Sequence, residues 1–181
     1  HFAVASWEWP NYFNADVREK GIRVKTAQWR RPPPDCAPVH IKAAGLYMIC
    51  TLSKHAAERD GCSDAMMLDY RGHVAELTSA NFFMVKNGEL HTPTPDCFLN
   101  GLTRQTVIQL AKDNGIKVHE RTILPHELKD ADECFATGTA VEVVPIGELD
   151  GVSYKVGPVT RMLREKFETL VRQPSQQSSA A

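Results

Sequence analysis

AMMLDYRGHVAELTSANFFMVKNGELHT, residues 65–92, holds the clearest structural pattern of the chain. Short apolar runs alternate with turn signals in it, and Asn87-Gly88 is the strongest short-range signal for a β-hairpin. Tyr70-Arg71-Gly72 indicates a second turn. The stretch therefore predicts four short strands, at residues 65–69, 73–76, 82–86 and 89–92.

Helical patterns lie on both sides of these strands. A proline-rich connector at residues 30–38 precedes apolar residues at helical spacing over residues 41–59. The other predicted helices cover residues 102–114, 125–129 and 157–172, and the other predicted strands cover residues 2–6, 22–26, 117–121, 133–136 and 141–146. Hairpin strands beside separate helices indicate an α+β domain with a mixed sheet, not a doubly wound parallel sheet.

Composition excludes several classes of function. The 181 residues carry a formal net charge of −1, which gives no electrostatic reason to expect nucleic acid or a membrane as partner. The five scattered cysteines favour a reducing compartment over a disulfide scaffold, so we expect the cytoplasm. The chain opens inside an apolar run without a Met, so we expect residues upstream of it in the natural protein.

Lys42 is the first candidate for chemistry. It follows the proline-rich connector and has the small or apolar neighbours Ile41 and Ala43. We expect partial desolvation there, which favours the neutral amine that attacks a carbonyl. The alternative is a solvated lysine in the first turn of a helix.

Three further places hold polar groups suited to an active site. Glu76 is a carboxylate among apolar neighbours, where it could face a protonated heterocyclic nitrogen or lie exposed at a strand end. Residues 100–103 run into a predicted helix N-terminus, which is either a phosphate site or a plain helix cap. Residues 136–140 offer small and hydroxylated side chains, or only a β-turn.

Other patterns in the sequence do not support a further functional site. Arg30-Arg31 is interpreted as a solvated basic pair in a loop. The seven histidines lack the spacing of a helical zinc motif, no metal site is expected, and no nucleotide-binding motif is present.

The order of the four candidate regions resembles the fold-type IV pyridoxal-phosphate enzymes, and within them the bacterial branched-chain amino acid aminotransferases. The resemblance extends from about residue 2 to residue 171. Its two most specific signals are the spacing of Glu76, Asn81 and Phe83 and the Leu-x-Gly-x-Thr-Arg run at residues 99–104. The matching segments are APVHIKAAGLY, LDYRGHVAELTSANFFMVKNGELHTP, FLNGLTRQTVIQLAKDNGI and ECFATGTAVEVVPI.

The resemblance implies a fold and a set of roles. The fold is the large domain of the D-amino acid aminotransferase-like type, a mixed sheet or barrel with flanking helices. Lys42 forms a Schiff base with pyridoxal 5′-phosphate and shuttles the substrate proton, while Glu76 faces the pyridine nitrogen. The remaining implied contacts are Tyr47 to the ring 3′-oxygen, Leu99 to the ring face, Leu102, Thr103 and Thr139 to the phosphate, Thr139 and Ala140 to the substrate carboxylate, and Trp9 and Tyr12 to the substrate side chain.

The resemblance also implies domain limits, substrates and assembly. Residues 1–14 are expected to be the last strand of a small domain and an interdomain loop, residues 15–172 the large domain, and residues 173–181 a disordered tail. The expected substrates are branched-chain L-amino acids with 2-oxoglutarate, acted on by a homodimer or larger homo-oligomer. A D-amino acid aminotransferase, an aminodeoxychorismate lyase and an inactive truncated domain stay open as alternatives. Leu46 and Leu77 depart from the usual family pattern.

Overall fold

The segment at residues 65–92 forms four strands in the computed structural model, which describes residues 3–8 and 15–173. Its hairpin turn has positive φ at both Asn87 and Gly88, as an Asn-Gly turn requires. The strands are β1 (Ile22–Arg31), β2 (Asp64–Asp69), β3 (Val74–Leu77), β4 (Asn81–Lys86), β5 (Glu89–Pro93), β6 (Val118–Arg121), β7 (Glu133–Gly138), β8 (Glu142–Leu149) and β9 (Val152–Ser153). The helices are α1 (Ala15–Lys20), α2 (Met48–Arg59), α3 (Leu102–Asp113) and α4 (Pro158–Val171), with 3-10 helices at Ala44–Leu46 and Pro125–Asp130.

Six of these strands close into a barrel. They pair in the order β3-β2-β1-β8-β7-β4, and β3 also pairs with β4, which completes the ring. β1 runs parallel to both of its neighbours, whereas the other pairings in the ring are antiparallel. The predicted α+β class with a mixed sheet or barrel and flanking helices is confirmed.

Consecutive phenylalanines on β4 supply two separate cores. Successive side chains of a strand point to opposite faces, so Phe82 and Phe83 diverge. Phe82 packs in a cluster with Ile22, Met66 and other residues of the barrel strands. Phe83 stacks on Phe135 with ring centroids 5.0 Å apart, in a second cluster that includes buried residues of α3 and α4. This second cluster fixes α3 and α4 to the face of the sheet that carries Phe83.

The first part of the chain differs from the prediction. Residues 3–6 form no strand and are exposed, because no strand in the described part of the chain pairs with them to satisfy their backbone groups. The first predicted helix is also shorter than expected: α2 begins at Met48, after the 3-10 helix Ala44–Leu46. β1 continues to Arg31, so part of the predicted connector is strand.

Two further findings concern the whole described part. None of its helices has the length and apolar character that crossing a bilayer requires. All five cysteines lie within it as free thiols, as the scattered spacing predicts. The predicted tail lies outside it beyond residue 173.

Candidate active site

One cavity of about 370 Å³ gathers most of the predicted site residues. It is bounded by the segment before α2, the adjoining ends of β3, β4 and β7, and the loop that enters α3. Ala140 is exposed and is not among the residues that line it, whereas Trp9 and Tyr12 lie outside the described residues. The predicted residues that do line it are Lys42, Tyr47, Glu76, Leu99, Leu102, Thr103 and Thr139.

Glu76 lies inside strand β3 and is buried, not exposed at a strand end. Its Oε1 is 3.4 Å from Nε of Arg31, close enough for an ion pair although not aligned as a hydrogen bond. The Asn81 amide donates a hydrogen bond to its Oε2 at 3.4 Å. The carboxylate is therefore held from two sides while it faces the cavity.

Arg31 is the site residue that the sequence interpretation missed, and its placement in a solvated loop was wrong. Its side chain is buried, and its Nη1 donates to the carbonyl of Leu46 and to Sγ of Cys50, both at 3.4 Å. The alternation of β1 that buries Ile22 and Val24 would send Arg31 outward. A register irregularity between Thr26 and Arg30 turns it inward instead, and no sequence signal marks that irregularity.

Burial sets the electrostatics of this pair. Loss of solvation raises the pKa of Glu76 to about 8, the charge of Arg31 opposes that rise, and the nearby Asp64 carboxylate adds to it. Burial, with the Glu76 carboxylate as a smaller cause, also raises the pKa of Tyr47. Near neutral pH, the Glu76 carboxyl of the ligand-free chain therefore carries a proton.

Folding stability should fall with rising pH because of Glu76. Its folded pKa is above the unfolded value, so the stability that it contributes is complete below pH 4.5 and is lost as the pH rises through about 8. Between pH 5.5 and 7.5, wild type should lose about 1 kcal/mol per pH unit relative to Glu76→Gln in urea unfolding. Glu165→Gln, at an exposed position, is the control and should follow wild type. A constant difference between wild type and Glu76→Gln would contradict the raised pKa.

Asn81 joins the carboxylate to the loop that enters α3. Its Nδ2 donates to the carbonyl of Leu99 at 2.9 Å, and its Oδ1 accepts from the backbone N–H of Gly101 at 3.2 Å. A Cβ on Gly101 would lie 2.4 Å from Asn81 Oδ1, so the close approach requires glycine. Glycine at position 101 thus allows the N-terminus of α3 to pack against Asn81, which also contacts Glu76.

Gly101→Ala should consequently destabilise the fold by about 1–3 kcal/mol, the usual range for overpacking a tight site. Gly45→Ala is a matched control, because a Cβ there meets no atom within 4 Å. Urea unfolding of both variants measures the difference. Equal stabilities would show that the loop yields freely and that its position is not fixed.

Arg104 anchors the same loop from behind. It is 1% exposed and donates to Asn100 Oδ1 at 2.8 Å, to the carbonyl of Pro93 at 3.0 Å and to Glu120 Oε2 at 2.8 Å. The N-cap residue Gly101 offers no side-chain acceptor, so the first N–H groups of α3 lack the usual cap. A rigid helix N-terminus of this kind attracts an anion.

Lys42 departs from its predicted environment. It lies before the first helical turn and its side chain is exposed, so the expected desolvation is absent in the described part of the chain. The reason is that Ile41 points to solvent with 59% exposure and gives no apolar cover. Lys42 nevertheless lines the same cavity as Glu76, so these two predicted site residues lie together in one site.

Comparison with known proteins identifies the family of the chain. The family model for Amino-transferase class IV matches residues 2–149. A probable branched-chain-amino-acid aminotransferase of Rickettsia conorii is 41% identical over 159 residues, which cover 86% of this chain and 55% of the relative.

Solved structures of aminotransferases are also similar to this chain. The branched-chain amino acid aminotransferase of Escherichia coli superimposes with a TM-score of 0.88 at 34% identity, over 95% of this chain and 59% of that one. An aminotransferase of Brucella abortus, solved with the cofactor PLP bound, gives 0.81 at 39% identity, over 87% and 56%. The chain thus spans little more than half the length of these relatives. With its barrel, its cavity and a family match over most of its residues, the chain belongs to the class IV aminotransferases.

Proposed function

We propose that this chain contributes the cofactor site of a pyridoxal-phosphate-dependent aminotransferase that exchanges the amino group of branched-chain L-amino acids with 2-oxoglutarate. One observation carries the proposal: an accessible amine, Lys42, and a buried acid, Glu76, line the same cavity beside an uncapped helix N-terminus. The names of the relatives support the branched-chain substrate class. Because the chain spans only part of their length, the activity, the substrates and the partners of the whole protein are included in the proposal.

The cavity fits this cofactor in three respects. The amine of Lys42 can bond to the carbonyl carbon, the Glu76 carboxyl can face the ring nitrogen, and the start of α3 can receive the phosphate. Arg31 Nε and Thr137 Oγ1 are buried without a hydrogen-bond partner in the described part of the chain, and both residues line the cavity. Buried polar atoms without a hydrogen-bond partner call for an explanation, and a ligand in the adjoining cavity would supply one.

The protein's own groups supply the proton chemistry. When bound, the cofactor supplies the electron sink for the substrate Cα. Glu76, protonated near neutral pH, can pass its proton to the ring nitrogen and remain as a carboxylate balanced by Arg31. The amine of Lys42 would be the base that moves the proton at the substrate Cα.

The other predicted residues orient the two ligands. Tyr47 keeps its phenol protonated at the cavity wall, where it can donate to the ring 3′-oxygen. Leu99 is partly buried and lines the cavity with Leu102 and Thr103. Leu99 would cover one face of the ring, and the backbone N–H groups of Leu102 and Thr103 would hold the phosphate. Thr139 and Ala140 are proposed for the substrate carboxylate, as Trp9 and Tyr12 are for the substrate side chain.

Two apolar side chains are exposed at the wall of the cavity. Ile41 is 59% exposed and Leu102 is 81% exposed. We propose that a small domain preceding residue 15 and a second subunit cover them, as the resemblance implies for a homodimer.

A substrate panel tests the proposal. The chain loaded with pyridoxal phosphate is offered L-leucine, L-valine, L-isoleucine and D-alanine, each with 2-oxoglutarate, and glutamate is measured. Glutamate from the three L-amino acids is the expected result. Glutamate from D-alanine alone would indicate a D-amino acid aminotransferase, and pyruvate released from aminodeoxychorismate would indicate a lyase. No product, together with no cofactor absorbance, would overturn the proposal for this chain.

A further inference from the structure

The hydroxyl of Thr137 has no assigned role, and its surroundings call for a partner. Thr137 lies on β7, is 1% exposed, and lines the cavity. Its Oγ1 makes no hydrogen bond within residues 3–8 and 15–173. A buried hydroxyl without a partner is unfavourable, and a ligand in the cavity would supply the acceptor.

Strand pairing fixes where this hydroxyl lies relative to Glu76. Glu76 is directly opposite Asn81 in the β3–β4 pair, and Asn81 is directly opposite Thr137 in the β4–β7 pair. Directly opposite residues share a face of the sheet, so the three side chains form one row. Neighbouring strands are about 4.8 Å apart, which puts Thr137 about 10 Å from Glu76 along that row.

The N-terminus of α3 lies beside the middle of this row. Asn81, the middle member, accepts a hydrogen bond from the backbone N–H of Gly101 directly before α3. Thr139, two residues after Thr137, lines the same cavity from the segment between β7 and β8. The row therefore has the acid at one end and Thr137 at the other, with the uncapped N–H groups of α3 beside its middle.

We propose that the Thr137 hydroxyl donates a hydrogen bond to the phosphate group of the cofactor. This inference rests on the proposed function and adds a phosphate ligand to it. The phosphate oxygen is the acceptor that Oγ1 lacks, and the distance from Glu76 matches a ring whose nitrogen faces one end and whose phosphate reaches the other. Thr160 provides the contrast, because its hydroxyl is also buried without a partner among the described residues but lies on α4, away from the cavity.

Binding measurements on matched variants test the inference. Thr137→Val removes the hydroxyl and keeps the shape, Thr137→Ser keeps the hydroxyl, and Thr160→Val is the control. Dissociation constants are measured by absorbance titration for pyridoxal phosphate and for pyridoxal, which lacks the phosphate. Thr137→Val should weaken pyridoxal phosphate binding about ten-fold or more, with little change for pyridoxal. Thr137→Ser and Thr160→Val should bind both ligands as wild type does.

Each other outcome overturns the inference. Equal affinity of wild type and Thr137→Val for pyridoxal phosphate, or equal weakening for both ligands, would exclude the phosphate as the acceptor and leave the proposed function intact. If Thr137→Val does not fold, Thr137→Ser supplies the test. Weakened pyridoxal phosphate binding by a folded Thr137→Ser would also overturn the inference, because that variant retains the hydroxyl donor. A wild-type chain that binds neither ligand would overturn the proposed function and this inference with it.

Discussion

Replacing Lys42 by alanine is expected to reduce transamination by at least about 10³-fold, because under the proposed function the variant loses both the covalent attachment point and the group that moves the Cα proton. The half-reaction with L-leucine, followed by the absorbance of the bound cofactor, measures the loss. Lys42→Ala should still bind the cofactor reversibly, since Glu76 and the start of α3 remain. Dialysis should then remove the cofactor from the variant faster than from wild type.

Lys129→Ala is the control for this experiment. Lys129 is exposed in the 3-10 helix Pro125–Asp130 and does not line the cavity. Its replacement should leave the half-reaction unchanged. If Lys42→Ala retained wild-type turnover, another residue would have to supply the amine that bonds to the cofactor.

Glu76→Gln is expected to give the second-largest loss, about 10²-fold in the half-reaction, with a much smaller loss of cofactor affinity. The amide keeps the shape and the contact with Asn81, but it cannot transfer a proton to the ring nitrogen or remain there as an anion. Stopped-flow measurement of the half-reaction gives the rate, and an absorbance titration gives the affinity.

The matched control for Glu76→Gln is Glu58→Gln. Glu58 is exposed and pairs with Lys54 on α2. It should react like wild type. Turnover of Glu76→Gln within a factor of two of wild type would contradict the proton role, and equal losses in rate and in affinity would reduce Glu76 to a binding contact.

Local signals predicted most of the fold. The Asn87-Gly88 turn, the alternating strands around it and the helix closed at Gly115 appear at nearly the predicted residues, because each depends on short-range backbone preferences. Closure of the barrel also needs long-range pairings, such as β1 with β8 and β4 with β7, and the expectation of a barrel followed from the resemblance, not from the spacing.

The electrostatic environment of the site was not predictable in the same way. Arg31 became a buried partner of Glu76 through an irregularity of strand pairing, which depends on β2 lying beside β1. Lys42 was expected to be desolvated by its sequence neighbours, but solvation is decided by tertiary contacts, and Ile41 makes few. The candidate site residues thus came from the resemblance, whereas the burial of Arg31 and the exposure of Lys42 required the structure.

The lysine that bonds to the cofactor can be identified directly by trapping the bond. The chain is incubated with pyridoxal phosphate, reduced with borohydride, digested, and its peptides are analysed by mass spectrometry. We predict a single modified peptide that contains Lys42. Modification of another lysine in place of Lys42, or none at all, would contradict the assignment of the cofactor site.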